Sequence, residues 1–192
     1  MASPIENPKQ QLRSQMRLAL SALPPDRRAS ASASARALLA AQSTWHCAQS
    51  ILFFAPMPTE LDLWPLLNSA LAAGKLVALP RFVPESTSYI ACQISNSTQH
   101  LKTGQFGIRE PIDGCPQIQV NKLDFVLVPG LAFDLEGRRL GRGKGFYDRM
   151  LAAARGKTCG VAFDEQIVRD VPVEPLDISV DCILTPTRWI EL

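Results

Sequence analysis

Ten consecutive residues, LGRGKGFYDR from Leu140 to Arg149, hold three glycines, three cations, two aromatics and one acid. Glycines 141, 143 and 145 permit positive backbone dihedrals and close approach by another molecule, while Arg139, Arg142 and Lys144 offer donors to an anion. A solvated basic turn needs one glycine, whereas a cradle of main-chain amides around phosphate needs repeated close approach. Lys144 would act as a movable point charge, and Arg139 or Arg142 could grip two oxygens at once. The spacing is that of neither the P-loop nor the dinucleotide-binding glycine pattern.

Carboxylates flank this loop. Asp148 could hold a magnesium ion against bound phosphate, or it could simply complement the first turn of the following helix. Asp181 sits in the apolar run VDCILT, where an unpaired carboxylate would cost several kcal/mol, so it should meet either an arginine or a metal. Glu60 follows the strand-ending FFAPMPT and could accept hydrogen bonds from a ligand, or begin the next helix. Phe146 and Tyr147 could stack on a flat ring, although aromatics entering a helix commonly pack into the core.

These groups need a scaffold. Runs such as SILFFA (50 to 55), KLVALP (75 to 80), SYIACQI (88 to 94), DFVLVPG (124 to 130), TCGVAF (158 to 163) and VDCILT (180 to 185) read as strands. LWPLLNSALAAG (63 to 74) reads as a helix with Pro65 in its first turn, and FYDRMLAAARG as another closed by Gly156. Leu12, Met16, Ala19, Leu20 and Leu23 share one helical face, and Pro24-Pro25 start a second helix carrying Leu38 and Leu39. The alternation predicts an α/β three-layer sandwich with a mostly parallel central sheet and an N-terminal helical arm, residues 1 to 44 on a core of 45 to 192, in one domain. Ligands of such sheets gather at the carboxyl ends of the strands, where residues 55 to 60 and 129 to 147 would both emerge.

Composition narrows the classes. The 192 residues are 46% hydrophobic and 20% charged, with a formal net charge of +2, which gives no general attraction to nucleic acid. A non-catalytic RNA-binding module using RRLGRGK as its patch therefore lacks an extended basic face. No apolar run approaches the ~20 residues that span a bilayer. Five scattered cysteines without a CxxC pair read as small core residues in a reducing cytosol, and the Arg-, Ser- and Ala-rich residues 9 to 42 read as a helical arm in preference to a transit peptide. His46 and His100, the two histidines, offer little for a triad or a metal site.

The stretch LVPGLAFDLEGRRLGRGKGFYDR (127 to 149) resembles the hallmark of the 5-formyltetrahydrofolate cyclo-ligases, also called 5,10-methenyltetrahydrofolate synthetases. Supporting matches are Lys9, Leu12 and Arg13 near the N-terminus, Met57 and Glu60, GKLVALPR (74 to 81), GIREP (107 to 111) and AFDEQIV followed by VPVEPLDISVD (162 to 181). The resemblance implies an enzyme that uses ATP and magnesium to convert 5-formyltetrahydrofolate into 5,10-methenyltetrahydrofolate; with the composition, the expectation is a cytoplasmic monomer acting on small-molecule substrates, with no nucleic-acid or membrane partner. It implies that Lys9, Arg13, Arg139, Leu140, Gly141, Arg142, Gly143, Lys144, Gly145, Phe146 and Tyr147 hold ATP, with Arg142, Lys144 and Tyr147 catalytic. It assigns the folate to Ala55, Met57, Glu60 and residues 142 to 146, with Glu60 on the pterin, and a metal to Asp148 and Asp181. Phe146 stands where the family commonly has Tyr, so a stacking role carries over and a hydroxyl role does not. A relative that binds folate without turnover is the remaining alternative.

Overall fold

The computed structural model describes residues 7–105 and 107–192. Helix α1 (Pro8–Ala22) starts with Pro8 in its first turn and the Asn7 side chain accepting from the Lys9 amide at 2.9 Å. Met16, Leu20 and Leu23 are buried as the spacing predicts, whereas Ala19, expected on the same face, is exposed. Pro24 and Pro25 open helix α2 (Pro25–Ala40), which buries Ala35 and Leu39. A short α3 (Ser43–Cys47) sets Trp45 edge-on to Phe53 at 6.1 Å.

Strand β1 (Ser50–Leu52) is shorter than the predicted 50 to 55, because its ladder to the next strand closes with the Phe53 amide donating to Ala78 at 2.9 Å. Phe53, Phe54 and Ala55 stay buried beyond it. Helix α4 (Trp64–Ala72) has Pro65 in its first turn and is followed by Gly74 at φ 74°. Then β2 (Leu76–Val83) and β3 (Ser88–Ile94) form an antiparallel hairpin, so the third predicted strand does not arrive by a parallel crossover. Its turn, Pro84 to Thr87, is too short to hold a crossover helix.

Beyond this hairpin come a small ribbon of β4 (Leu101–Thr103) and β5 (Arg109–Pro111), the two-residue β6 (Gln117–Ile118), and β7 (Phe125–Pro129), buried from Phe125 to Val128. A second ribbon pairs β8 (Ala132–Phe133) with β9 (Arg139–Leu140). Helix α5 (Phe146–Leu151) ends earlier than the predicted Gly156, which packs so tightly that a Cβ there would lie 2.1 Å from the Leu123 carbonyl. Strands β10 (Lys157–Val161), β11 (Cys182–Leu184) and β12 (Trp189–Glu191) complete an eight-stranded sheet in the order β12-β11-β10-β7-β1-β2-β3-β6. From β11 to β2 the pairings are parallel and the outer ones antiparallel, which matches the mostly parallel sheet predicted.

Alternate residues of the central strands serve two cores. Ile51, Val77, Phe125 and Leu127 face the layer containing α1, α2 and α4, while Leu52, Ala78, Val126 and Val128 meet α5. Phe125 and Leu127 are fully buried, and truncating either to alanine would cost about 3 kcal/mol or more. Met16, Leu20 and Leu39 lie in the same core as the sheet, so the helical arm is part of the main packing. Cys92, Cys115, Cys159 and Cys182 are buried as expected, but Cys47 is exposed.

Two acids tie the strands together at their N-terminal ends. Asp124, preceding β7, accepts from the amides of Gln49 and Ser50 and from the Ser50 hydroxyl, each at 2.9 Å. Burial works against its charge, but these donors outweigh it and hold the carboxyl below its ordinary value. Asp181, preceding β11, accepts from the amide and hydroxyl of Thr158, both at 2.7 Å.

Candidate active site

A cavity of about 340 Å³ opens at the opposite, C-terminal edge of β1, β2 and β7. Its floor is Phe54, Ala55, Pro80, Pro129 and Gly130, and its roof is the glycine loop with the first turn of α5. Met57, Glu60, Tyr89, Arg109 and Glu110 form the sides, with Arg17 of α1 at one rim. The two segments expected to converge, 55 to 60 and 129 to 147, do so here.

Arg139 is presented by the β8–β9 ribbon and is nearly buried. Its Nη2 donates to Asp148 at 2.7 Å and its Nη1 to the Pro129 carbonyl at 3.3 Å, while its Nε has no partner among the described residues. The ribbon is held by Asp134, which is wholly buried and accepts from the amides of Glu136, Arg138 and Val171 and from the Arg138 guanidinium at 2.7 Å. Gln166, also buried, donates to the carbonyls of Gly130 and Leu131 and so fixes the turn between strand and ribbon.

The glycines divide their labour. Gly143 and Gly145 have φ of 100° and 62°, left-handed positions that glycine occupies without strain. A Cβ at Gly141 would instead lie 3.0 Å from Arg139 Nη1, so that glycine makes room for the guanidinium. Arg13 of α1 braces the loop from outside, donating through Nε to the Gly141 carbonyl at 3.0 Å.

Across the cavity, Glu60 accepts from Arg142 Nη2 at 2.7 Å and from the Met57 amide at 2.9 Å. Its side chain is only 8% exposed against 39% for Arg142, so a fixed acid meets a half-free cation. Helix α4 begins at Trp64, which leaves Glu60 outside its first turn. Phe146 packs edge-on to Phe82 and Tyr89, with centroids at 5.7 and 5.1 Å, and still borders the cavity. Tyr147 has its ring 5.8 Å from the Arg139 guanidinium, and burial first, then the charge of Glu60, pushes its hydroxyl far above the ordinary value of about 10. It is a neutral hydrogen-bond donor at neutral pH.

Five expected residues do not line the cavity: Gly143 and Arg13 belong to the glycine loop and its brace, and the other three lie elsewhere. Lys9 does not reach the cavity: its buried ammonium pairs with Asp177 at 2.5 Å and Glu174 at 3.3 Å, tethering α1 to the loop before β11, because a charge so desolvated requires acids beside it. Leu140 is buried in the β8–β9 ribbon. Asp181 cannot share a metal with Asp148, since it stands at the N-terminal edge beside Thr158, three residues or roughly 10 Å along β10 from the level of Pro129. It is also exposed, and Thr158 donors satisfy it where an arginine or metal was expected.

Among the described residues no group of three acidic, histidine or cysteine side chains converges to hold a metal. Asp148, in the cavity wall, offers one carboxylate beside the cations, which suits a magnesium ion whose other ligands come from phosphate and water. Neither histidine lines the cavity. Sequence reasoning missed Arg17, Tyr89, Asp134 and Gln166. Arg17 follows Arg13 by one helical turn, and Asp134 and Gln166 are polar residues beside apolar runs, so each left a signal. Tyr89 left none, since only the antiparallel pairing of β3 brings it to the cleft.

Fold and site together define an α/β protein whose cleft pairs a cationic glycine loop with an acid on an apolar wall. The family model for the 5-formyltetrahydrofolate cyclo-ligase family matches residues 5–186. The 5-formyltetrahydrofolate cyclo-ligase of Escherichia coli K12 is 34% identical over 145 residues, 73% of this chain and 80% of its own, and that of mouse is 28% identical over 94% of each chain. The NMR structure of Aquifex aeolicus 5,10-methenyltetrahydrofolate synthetase superposes with a TM-score of 0.85 at 32% identity, covering 95% of this chain and 92% of that one. This chain belongs to the 5-formyltetrahydrofolate cyclo-ligase family.

Proposed function

We propose that this protein converts 5-formyltetrahydrofolate to 5,10-methenyltetrahydrofolate at the expense of ATP. The formyl oxygen attacks the γ-phosphorus, and the bond to the bridging oxygen breaks to release ADP. The N10 lone pair then closes on the formyl carbon, the carbon–oxygen bond breaks, and inorganic phosphate departs as N10 loses its proton. Phosphorylation turns a poor leaving oxygen into a good one. What remains for the protein is alignment and charge neutralisation.

The supporting observation is the meeting of Glu60 and Arg142, 82 residues apart in sequence, across one cavity with Ala55 and Met57 in its wall. Glu60 is placed to accept from pterin N–H groups, with Arg142 released toward phosphate. Lys144 and the amides of residues 141 to 145 neutralise the transferring group, and the Tyr147 hydroxyl donates to the formyl oxygen's side of the cleft. Phe146 offers the edge of its aromatic cluster to a flat ring. Arg13 and Arg17 of α1 give the polyphosphate its second wall. Magnesium would screen phosphate charge, with Asp148 as its protein carboxylate. The test follows the methenyl product in the near ultraviolet with and without ATP and magnesium; folded protein that forms no ATP-dependent product refutes the reading.

A further inference from the structure

A second, open groove of about 700 Å³ adjoins the cavity and shares Lys144 and Phe146 with it. Its other wall is the β2–β3 turn, Pro84, Ser86 and Thr87, and its far end is Arg149 of α5. We propose that this groove takes the amino-acid tail of the folate, with Arg149 gripping a tail carboxylate. The proposal rests on the folate reading above.

The guanidinium of Arg149 is held in place without being neutralised. It lies 5.3 Å from the Phe146 ring and donates to the carbonyls of Lys144 at 3.5 Å and Thr87 at 3.2 Å. Those bonds use two of its five N–H donors, and among the described residues no carboxylate pairs with it. Among the described residues lining the groove there is no acid either; Ser86, Thr87 and Gln105 add neutral polar groups.

Thr87, whose carbonyl positions the guanidinium, has φ of 47°, an uncommon left-handed geometry for a β-branched residue. The turn is thus shaped at the point where Arg149 is anchored. Pairing geometry also separates the two anionic parts of the substrates. Arg13 approaches the glycine loop from α1 at Gly141, with Arg17 of the same helix lining the cavity, whereas Arg149 approaches the loop at Lys144. A ring seated in the cavity with its edge toward Phe146 would direct a flexible carboxylate chain into this groove, and the triphosphate toward α1.

The experiment compares Arg149→Ala with wild type on two substrates, 5-formyltetrahydrofolate and its analogue lacking glutamate, 5-formyltetrahydropteroate. The expected result is a roughly tenfold rise in KM for the folate, with kcat held and the pteroate constants shifted less than about twofold, as for loss of one partly exposed charge-assisted contact. Arg149→Lys should recover part of the loss. Equal losses on both substrates, or a rise in the KM of ATP instead, would overturn the assignment. Calorimetry with p-aminobenzoylglutamate against p-aminobenzoate supplies a readout independent of turnover. Tighter binding of the glutamate-bearing probe that Arg149→Ala abolishes supports the groove even if no methenyl product forms. Equal binding of the two probes by wild type refutes it.

Discussion

The two edges of the sheet both carry paired carboxylates, and the pairing differs in kind. At the N-terminal edge Asp124 and Asp181 accept from main-chain amides and from Ser50 and Thr158, groups fixed by the strands themselves. At the C-terminal edge Asp148 and Glu60 are matched to the guanidinium groups of Arg139 and Arg142. A carboxylate held by backbone donors contributes to the fold and has nothing to exchange. One held by a side-chain cation can trade that cation for a ligand, at the cost of reorganising a single residue. Acid count alone would rank the two edges as equals.

The sharpest way to break this comparison is at the C-terminal edge. Lys144→Ala should lower turnover roughly 10²- to 10⁵-fold while thermal unfolding stays close to wild type. Near-normal turnover would remove Lys144 from the chemistry. Asp148→Asn tests the buried end of the same network: it leaves the nearly buried Arg139 without its counter-charge, which should cost about 3 kcal/mol in denaturant unfolding along with activity. If stability is unchanged, Arg139 has found another partner and the ion pair is dispensable.

At the N-terminal edge the effects should be smaller and confined to stability. The lowered folded-state value of Asp124 means that its contribution is complete above the ordinary carboxylate value of about 4 and is lost as pH falls through the lowered one. Asp124→Asn should therefore be less stable than wild type by about 1 kcal/mol at neutral pH, the gap closing in acid. A gap that persists into acid would show that the hydrogen bonds, and not the charge, carry the effect. Asp181→Asn should cost up to about 1 kcal/mol and leave turnover within about twofold of wild type. Loss of magnesium-dependent activity in that variant would return Asp181 to the site and undo the distinction between the edges.

Much of this arrangement is legible in the residues, and the parts that are not have identifiable causes. The unbroken apolar character of residues 125 to 128 marks a central strand, and Pro24-Pro25 separates two helices, because both signals are local. The glycine loop is legible as an anion site by its composition. The edge on which an acid falls requires strand direction as well: Asp181 precedes its strand, and residues that precede a parallel strand lie away from the cleft. That inference is available in the sequence, and family resemblance pulls against it. Lys9 is misleading for another reason. Helical spacing places it on the ridge of Arg13 and Arg17, yet its burial depends on Glu174 and Asp177, more than 160 residues away. The antiparallel return of β3 is hidden because Pro84 to Thr87 contains none of the glycine or asparagine signals of a tight hairpin.

Helix α1 also fixes the bearing of its cations. Arg13 and Arg17 point at the glycine loop and the cleft only because Met16 and Leu20 are seated in the core, so their compass heading is inherited from apolar packing. Each added residue turns the downstream helix by about 100°. One alanine inserted between Arg17 and Leu20 would leave Leu20 and the guanidinium pair facing different quarters, and the chain could keep the heading of one but not of both.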